Sequence, residues 1–220
     1  MGGLAGFLPE LLRGVQVTVQ VSLSAALLAV MVAVPAALAK LYGPAPLRAL
    51  AVAYIEVFRG TSALVQLFWL FFVLPQFGLL LEPLTAGILA LGLNTGAYGA
   101  EVVRGAVLAV PRGQWEAGSA LNLSRLQALR HLILPQACVA MIPPWGNLWI
   151  ELLKASSLVS LITLADLSFK ARQLNQNTLQ TAEVFSLTLL LYLAMALLIT
   201  LGMRLLERRV TRGLGRRRLT

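Results

Sequence analysis

Long apolar runs separated by short polar intervals dominate the chain, and they predict an all-α polytopic membrane protein. The apolar segments lie at about residues 14–41, 49–74, 84–110, 136–161 and 184–206. Each approaches or exceeds the roughly 20 apolar residues that an α-helix needs to cross a hydrocarbon core about 30 Å thick. We therefore expect one transmembrane domain over residues 1–220 with five spanning helices, and residues 1–13 as a short interfacial segment.

Prolines and polar residues mark the places where these helices should bend or end. The pair Pro143-Pro144 is expected to delay or bend the fourth span, because proline removes a backbone donor and clashes with the preceding turn. Residues 165–182 are polar and are expected to form a loop between the last two spans.

The composition supports a membrane protein and excludes several other classes. Of the 220 residues, 58% are hydrophobic and 12% are charged, whereas soluble domains are about 25% charged. The net charge of +9 comes from basic residues clustered in loops and at the C-terminus, as in cytoplasmic membrane flanks, so we expect no nucleic-acid partner. The single Cys138 excludes an intrachain disulfide and a cysteine-rich metal site, and we expect no metal.

The basic residues also predict an orientation. With the C-terminal tail in the cytoplasm, the turn at 40–48, the stretch at 111–135 and the tail, counted together with Arg204 at the end of the last span, carry twelve Lys or Arg residues, against three in the segments on the other side. The positive-inside rule then places the N-terminus outside and the C-terminus in the cytoplasm. The first residues lack a basic segment, so the first apolar segment is expected to be retained rather than cleaved.

Three spans contain an acidic residue followed three positions later by a basic one. The pairs are Glu56 and Arg59, Glu101 and Arg104, and Glu151 and Lys154. Spacing of i,i+3 places both members on one helix face, and pairing lowers a cost of at least about 2.5–3.5 kcal/mol per intramembrane charge. The pairs are expected either to neutralise themselves and brace helix contacts or to line a pathway.

Glu151 is expected to lie deepest in the membrane, roughly 24 Å beyond Pro135 at the rise of an α-helix. Its helix face continues through Asn147, Lys154 and Leu158, with Ser156 and Ser157 adjacent. A polar face at that depth is typical of a cavity or a pathway. Two readings stay open, one in which Glu151 contacts a solute and one in which it only pairs with Lys154.

The polar stretch from Pro111 to Pro135 predicts two short helices outside the bilayer. Pro111 suits a first helical turn, and Asn122 can adopt the left-handed conformation that ends a helix. Ser124 with Gln127 is a capping-box pattern that starts the second helix, which Pro135 is expected to close. This stretch is either a docking surface for another protein or a plain amphipathic connector.

At this point the sequence resembles a known family. The segment EAGSALNLSRLQALRHLILP resembles the EAA loop of ATP-binding-cassette (ABC) importer membrane subunits: Glu116, Ala117, Leu134 and Pro135 match, while Gly118, Asn122 and Leu132 replace Ala, Gly and Ile. Stretches at 56–68, 94–118, 134–137, 143–147 and 152–162 resemble the polar amino-acid uptake subfamily, except that Ser62 stands where Pro is frequent.

The resemblance implies a type I ABC importer permease core of five helices in the bacterial inner membrane. It implies a homodimer or a heterodimer with a paralogous permease, two cytoplasmic ATPase subunits, and an extracytoplasmic solute-binding protein. Coupling to the ATPase would use Arg112, Gln114, Trp115, Glu116, Ala117, Gly118, Ser119, Leu121 and Asn122. The chain has no GxxxxGK[ST] phosphate loop, so we expect no catalytic residue and no cofactor here, with ATP and Mg in the partner subunit.

The solute implied by the resemblance is a polar amino acid of the histidine, glutamine, arginine or opine kind, or ectoine. A carboxylate near the path at Glu151 would favour a solute with a cationic group. Two other classes stay open from the residues alone. One is an ion-coupled carrier or channel whose charged pairs relay ions or protons, and the other is a non-transporting scaffold whose basic tail binds lipid.

Overall fold

A computed structural model describes residues 4–213, and this part of the chain is helical with no strand. Nine α-helices follow one another in the described range: α1 (Leu4–Tyr42), α2 (Ala45–Gly60), α3 (Ala63–Phe68), α4 (Pro83–Ala109), α5 (Arg112–Ala120), α6 (Arg125–Ala128), α7 (Leu134–Ala155), α8 (Leu167–Thr178) and α9 (Thr181–Gly213). A π-helical turn (Trp69–Val73) and a 3-10 turn (Leu74–Phe77) extend α3, a π-helical turn (Leu129–Ile133) joins α6 to α7, and a 3-10 helix (Ser156–Ile162) follows α7.

Two of the described helices are long and apolar enough to cross a membrane, over Gly6–Tyr42 and Thr181–Val210. Two further spans are added if each of two bent helix pairs is counted as a single span. These pairs are Ala45–Gly60 with Ala63–Phe77, bent by 105°, and Arg125–Ile162 with Leu167–Thr178, bent by 54°. Helix α4 has 27 residues, which is about 40 Å of helix, but it carries Glu101 and Arg104. The count of five spans therefore stays a prediction.

Helices α1 and α4 form the most extensive contact in the described fold, and small residues permit it. The α1 residues Ala25, Ala29 and Ala33 recur every four positions and are fully buried. On α4, a Cβ at Gly92 would lie 2.8 Å from Leu28 Cδ2 of α1, and one at Gly96 would lie 3.3 Å from the Ala29 carbonyl oxygen of α1. Small residues at this spacing let helix backbones approach closely, as is typical of membrane proteins.

The observed helices differ from the predicted segments in three places. The segment 1–13 is not a separate interfacial piece, because α1 begins at Leu4 within it and buries Phe7 and Leu11. The second predicted span, 49–74, is not one helix, because it breaks between α2 and α3. Residues 165–182 are not a loop, because α8 occupies most of that segment.

Helix α8 forms because its first turn is capped and its apolar face is buried. The side chain of Asp166 accepts a hydrogen bond from the backbone N–H of Phe169 at 2.8 Å, which is an N-cap. The N–H of Leu167 donates to the Thr18 hydroxyl of α1 at 3.1 Å. Leu167 and Ala171 are fully buried, so tertiary packing holds a helix whose local sequence is polar.

The prolines of the fourth predicted span do not interrupt its helix. Helix α7 runs through Pro143 and Pro144 without a break, and Pro135 stands in its first turn rather than closing the preceding helix. Prolines are tolerated in membrane helices where neighbouring groups satisfy the freed carbonyls. The first half of the predicted basic tail, residues 207–213, continues α9, and the rest of the tail lies outside the described residues.

Candidate functional site

The break between α2 and α3 opens a cavity of about 290 Å³ against α4 and α7. The residues that line this cavity are unusually polar for so hydrophobic a chain. The polar residues that line it are Thr61, Ser62, Asn94, Thr95, Tyr98 and Glu151. A polar cavity between the helices of an apolar bundle is the environment in which a membrane protein handles a hydrophilic solute.

Two amide side chains hold the break in place. Asn94 Nδ2 donates to the carbonyl of Phe58 at 2.9 Å and to Gln66 Oε1 at 3.1 Å. Gln66 Nε2 donates to the same Phe58 carbonyl at 2.9 Å and to the Thr61 hydroxyl at 2.7 Å. Backbone groups freed inside a membrane need internal partners, and this pair of side chains, the amide clamp, supplies them.

Tyr98 covers the end of α2 on the cavity side. Its hydroxyl donates to the Arg59 carbonyl at 3.4 Å, and the Arg59 guanidinium lies 5.4 Å from the centre of the Tyr98 ring. This is the distance of a cation–π contact. The Tyr98 ring therefore stabilises the positive charge of Arg59. Within residues 4–213, Arg59 forms no ion pair with Glu56. The predicted Glu56–Arg59 pair is wrong.

Glu151 is exposed on α7 and lines the cavity. Asn147 and Lys154 are exposed on the same helix face, but no ion pair between Glu151 and Lys154 occurs in the described part of the chain. The predicted pairing of these two residues is therefore wrong. Ser156 and Ser157 donate to backbone carbonyls of the preceding turn, at 2.7 Å and 2.8 Å, and they do not line the cavity.

A separate ionic cluster joins α1, α2 and α4. Lys40 Nζ lies 2.8 Å from Glu101 Oε1 and 3.7 Å from Glu56 Oε1. Arg104 Nη2 lies 2.8 Å from the other oxygen of Glu101, so the predicted Glu101–Arg104 pair is present. Lys40 was expected on a membrane flank, yet its side chain is 21% exposed and bridges two carboxylates. Lys40 thereby ties three helices together, α1 to α4 through the largely buried Glu101 and α1 to α2 through the exposed Glu56.

The stretch after α4 folds as two short helices, as its sequence predicts. At the end of α5 the N–H of Leu123 donates to the Gly118 carbonyl and the N–H of Asn122 donates to the Ser119 carbonyl, both at 3.0 Å. Asn122 has φ 54°, so the turn is a Schellman motif. The Gln127 N–H donates to the Ser124 hydroxyl at 3.3 Å, and the Ser124 N–H donates to Gln127 Oε1 at 2.9 Å. The predicted capping box is thus present.

Helix α5 presents different faces to the bundle and to its surroundings. Gly118 packs so tightly on α6 that an added Cβ would lie 3.0 Å from the Ala128 Cβ. Gln114 accepts a hydrogen bond from Gln136 at 3.1 Å, and the Trp115 ring lies 6.5 Å from that of Tyr42.

The outward face of α5 is small and accessible. The residues Gly113, Ala117 and Ala120 are exposed there. Glu116, Ser119 and, just beyond the helix, Leu121 are also exposed, and Glu116 and Ser119 line a cavity together with Arg112 and Trp115. A face of small side chains lets another protein approach the helix backbone closely. Arg112, which was also assigned to coupling, is exposed at the first turn of this helix.

Sequence reasoning missed the residues that shape the cavity. Asn94, Gln66 and Tyr98 were not selected as site residues, although Asn94 and Gln66 are polar residues inside predicted spans. Their position inside predicted spans could have identified them as site residues, because a polar residue at membrane depth needs a partner or a pathway. Of the five residues assigned to a substrate path, Glu151 alone lines this cavity.

Comparison with known proteins gives consistent matches over nearly the whole chain. A family model described as "Binding-protein-dependent transport system inner membrane component" matches residues 25–212. A probable amino-acid ABC transporter permease protein, y4tF of Sinorhizobium fredii, is 47% identical over 218 residues, covering 96% of this chain and 92% of the relative. The glutamine transport system permease GlnP of Escherichia coli is 35% identical, covering 92% of this chain and 94% of the relative.

Solved structures agree with this result. A crystal structure of an amino acid ABC transporter with histidines has a TM-score of 0.87 and 35% identity, and the match covers 93% of this chain and 96% of that one. An inward-facing structure of the MetNI methionine ABC transporter has a TM-score of 0.78 at 22% identity, covering 91% and 96%. The latter likeness concerns the fold alone.

Proposed function

The chain belongs to the family of binding-protein-dependent transport system inner membrane components, and we propose that two of its surfaces divide the work of import. It is the permease subunit of an amino-acid-type ABC importer, with the fold of type I importer permeases. Permease subunits of this family are not enzymes. The first surface is the cavity at the helix break, and the second is the outward face of α5.

The cavity is the section of the solute path that this chain contributes. Relatives are named for transport of glutamine and of L-cystine, and such amino acids carry an ammonium group and a carboxylate. The exposed Glu151 carboxylate, which has no ion pair in the described part of the chain, is the observation that carries this assignment. Its charge matches the ammonium group of a polar amino acid, and the hydroxyls of Thr61 and Ser62 add further hydrogen-bonding groups.

The cavity is open on one side, which a second permease subunit would close. That subunit is either another copy of this chain or a paralogue, and both alternatives stay open. Two ATPase subunits would bind ATP and Mg, and a solute-binding protein would deliver the solute from outside. In this arrangement the N-terminus lies outside and α5 faces the cytoplasm, as the basic residues predict.

The outward face of α5 is the contact through which the ATPase moves the bundle. The Schellman turn and the capping box hold α5 against α6, and Gly118 packs so closely on Ala128 that an added Cβ would be crowded. A push on α5 is therefore passed to α7, which continues from α6 through the turn Leu129–Ile133. Since α7 carries Glu151, the same rigid unit connects the ATPase contact with the cavity.

Uptake by the reconstituted complex tests the path. We expect Glu151→Gln to lower binding-protein-dependent uptake of glutamine at least tenfold while basal ATP hydrolysis persists, because the cavity loses its only charge. Lys154→Met is the matched control, since Lys154 is exposed on the same helix face but does not line the cavity. Wild-type uptake rates and solute preference in Glu151→Gln would rule out the assignment.

Stimulation of ATP hydrolysis by the loaded binding protein tests the second surface. We expect Ala117→Trp, on the outward face of α5, to reduce this stimulation several-fold because a large side chain separates α5 from the ATPase. Leu126→Trp, exposed on α6, is the control for a large aromatic residue on the same loop. Normal stimulation in Ala117→Trp would mean that this face does not contact the ATPase.

A further inference from the structure

Helix α8 leaves one of its faces uncovered, and that face forms a groove. The residues Phe169, Arg172, Gln173 and Gln176 line a cavity of about 350 Å³. Their spacing of i, i+3, i+4 and i+7 places all four on one side of the helix. Neither the solute path nor the outward face of α5 uses these residues, so the groove is a separate feature with an aromatic ring, a cation and two amides.

The groove carries an exposed positive charge at Arg172. This side chain forms no ion pair in the described part of the chain. It interacts electrostatically with Asp166, but that carboxylate is fully buried and caps α8. Two further basic residues at this end of the molecule, Arg13 and Lys170, both contact Glu10. Arg172 is therefore able to bind an acidic group from outside the chain.

The groove is joined to the helix that carries Glu151. Arg172 Nη2 donates a hydrogen bond to the Ser160 carbonyl at 3.0 Å. Ser160 belongs to the 3-10 helix that directly follows α7, and its neighbours Val159 and Ile162 are fully buried. One side chain thus forms part of the groove and holds α8 against the continuation of α7.

Helix α8 lies at the opposite end of α1 from α5. The Leu167 N–H of α8 donates to the Thr18 hydroxyl, whereas the Trp115 ring of α5 lies 6.5 Å from that of Tyr42. Thr18 and Tyr42 are 24 residues apart in one continuous helix, which is about 36 Å and exceeds a hydrocarbon core about 30 Å thick. This step rests on the proposed function: if α5 meets the ATPase, α8 lies on the side where the solute-binding protein arrives.

The shape of the groove favours a protein over a free solute. Sites for small molecules enclose most of their ligand, whereas these four lining residues lie on one side of one helix. Leu179, just past the end of α8, is 84% exposed, and a protein surface can cover such a side chain together with the groove. An exposed arginine also suits a protein partner, because complementary charges guide the encounter of two proteins and fix their register.

We propose that the groove of α8 is a contact for the solute-binding protein, which places an acidic side chain against Arg172 and hydrogen-bonding groups against Gln173 and Gln176. The bound protein then rests on a helix that Arg172 joins to the continuation of α7. Docking and the solute path thereby share one connected segment, from the groove through Ser160 to Glu151.

The affinity between the purified complex of permease and ATPase subunits and its binding protein tests this contact. The probe is the binding protein that stimulates ATP hydrolysis by the wild-type complex, titrated onto the complex in lipid nanodiscs. We expect Arg172→Glu to weaken binding at least tenfold, because an acidic group then faces the acidic partner. Arg13→Glu is the matched control and should change the affinity less than twofold, since it makes the same change of charge at the same end without altering the groove.

A second variant covers the case in which Arg172→Glu fails to fold. Gln176→Trp fills the groove but leaves Arg172 and its hydrogen bond to Ser160 in place, and it should also weaken binding at least tenfold. Wild-type affinity in Gln176→Trp would overturn the proposal, and so would equal losses in Arg172→Glu and Arg13→Glu, which would indicate a general effect of charge.

Two further results separate this proposal from other assignments. Separation of the two permease subunits in Gln176→Trp, measured by native mass spectrometry, would assign the groove to their interface and overturn the docking contact. The affinity is measured without transport, so wild-type uptake in Glu151→Gln would refute the solute path and leave the docking result unchanged.

Discussion

The helix break at Thr61-Ser62 and the turn at Leu121–Leu123 interrupt helices in two different ways. At the break, the carbonyl of Phe58 is satisfied by side chains from Gln66 and from Asn94 of another helix. At the turn, the last carbonyls of α5 accept hydrogen bonds from the backbone N–H groups of Leu121, Asn122 and Leu123. The difference follows from the surroundings, because a break at membrane depth must find internal donors whereas a turn at the surface also has water.

The two interruptions therefore differ in what a substitution should cost. The break depends on a long-range contact that gives shape to the proposed path, so its loss should affect both stability and uptake. The turn depends on local caps that position α5, so its loss should affect stability less and the coupling to the ATPase more. Four substitutions test this contrast, in order of decreasing effect.

The largest effect is expected from Asn94→Leu. Leucine has nearly the same size but cannot donate to the Phe58 carbonyl or to Gln66 Oε1. Gln66 Oε1 then loses its donor, while the Phe58 carbonyl keeps the hydrogen bond from Gln66. Leaving a part-buried polar group without a partner costs about 2 kcal/mol, so thermal unfolding in detergent should occur at a lower temperature. Uptake should fall at least fivefold, because Thr61 and Ser62 lose their fixed positions. Wild-type values in both assays would show that the amide clamp does not hold the break.

A smaller effect is expected from Asn122→Val, at the turn. Asn122 has φ 54°, a left-handed conformation that costs an L-residue with a bulky side chain about 1.5 kcal/mol. Asn122→Gly is the matched control and should match or exceed the wild-type unfolding temperature, because glycine enters this region freely. Equal losses in the valine and glycine variants would point to the asparagine side chain rather than to the backbone.

The same contrast explains what the sequence could predict. The turn was predicted correctly because its signals, Asn122, Ser124 and Gln127, lie within six residues of one another and act on their own backbone. The break was missed because Asn94 lies 36 residues from the carbonyl it satisfies. A local sequence pattern can predict an element that neighbouring residues stabilise. It cannot predict a hydrogen-bond partner that only the folded chain brings close.

The charged pairs also show that local sequence cannot predict contacts between helices. Spacing of i,i+3 predicted the Glu101–Arg104 pair correctly, but Glu56 pairs with Lys40 of α1 instead of with Arg59. Helical spacing tells which side chains share a face, and it does not tell which neighbouring helix faces them. Helix α8 was missed for a related reason, since its cap and its burial depend on contacts with α1.

A third, still smaller effect is expected from Ser124→Ala. Removal of the hydroxyl deletes the cap of α6 that accepts from the Gln127 N–H, and loss of such a cap costs about 1 kcal/mol. Uptake should remain near wild type, while stimulation of ATP hydrolysis should drop because α5 and α6 are less firmly joined. Ser124→Asp keeps the acceptor and serves as the control. A fall in uptake as large as that of Asn94→Leu would remove the distinction between the two interruptions.

The smallest effect is expected from Gln136→Leu, which removes a part-buried amide beside the loop as Asn94→Leu removes one at the break. Gln136 Nε2 donates to Gln114 Oε1 at 3.1 Å and to the Leu132 carbonyl at 2.8 Å. Gln114 is on the short helix of the loop, where water can replace the lost donor, so the net cost is about 0.5 kcal/mol. The informative quantity is the difference in unfolding temperature between the Asn94 and Gln136 variants, measured in the same detergent. Equal shifts in unfolding temperature would mean that the surroundings of the amide do not determine how much it stabilises the fold. The proposed contrast between the break and the turn would then be wrong.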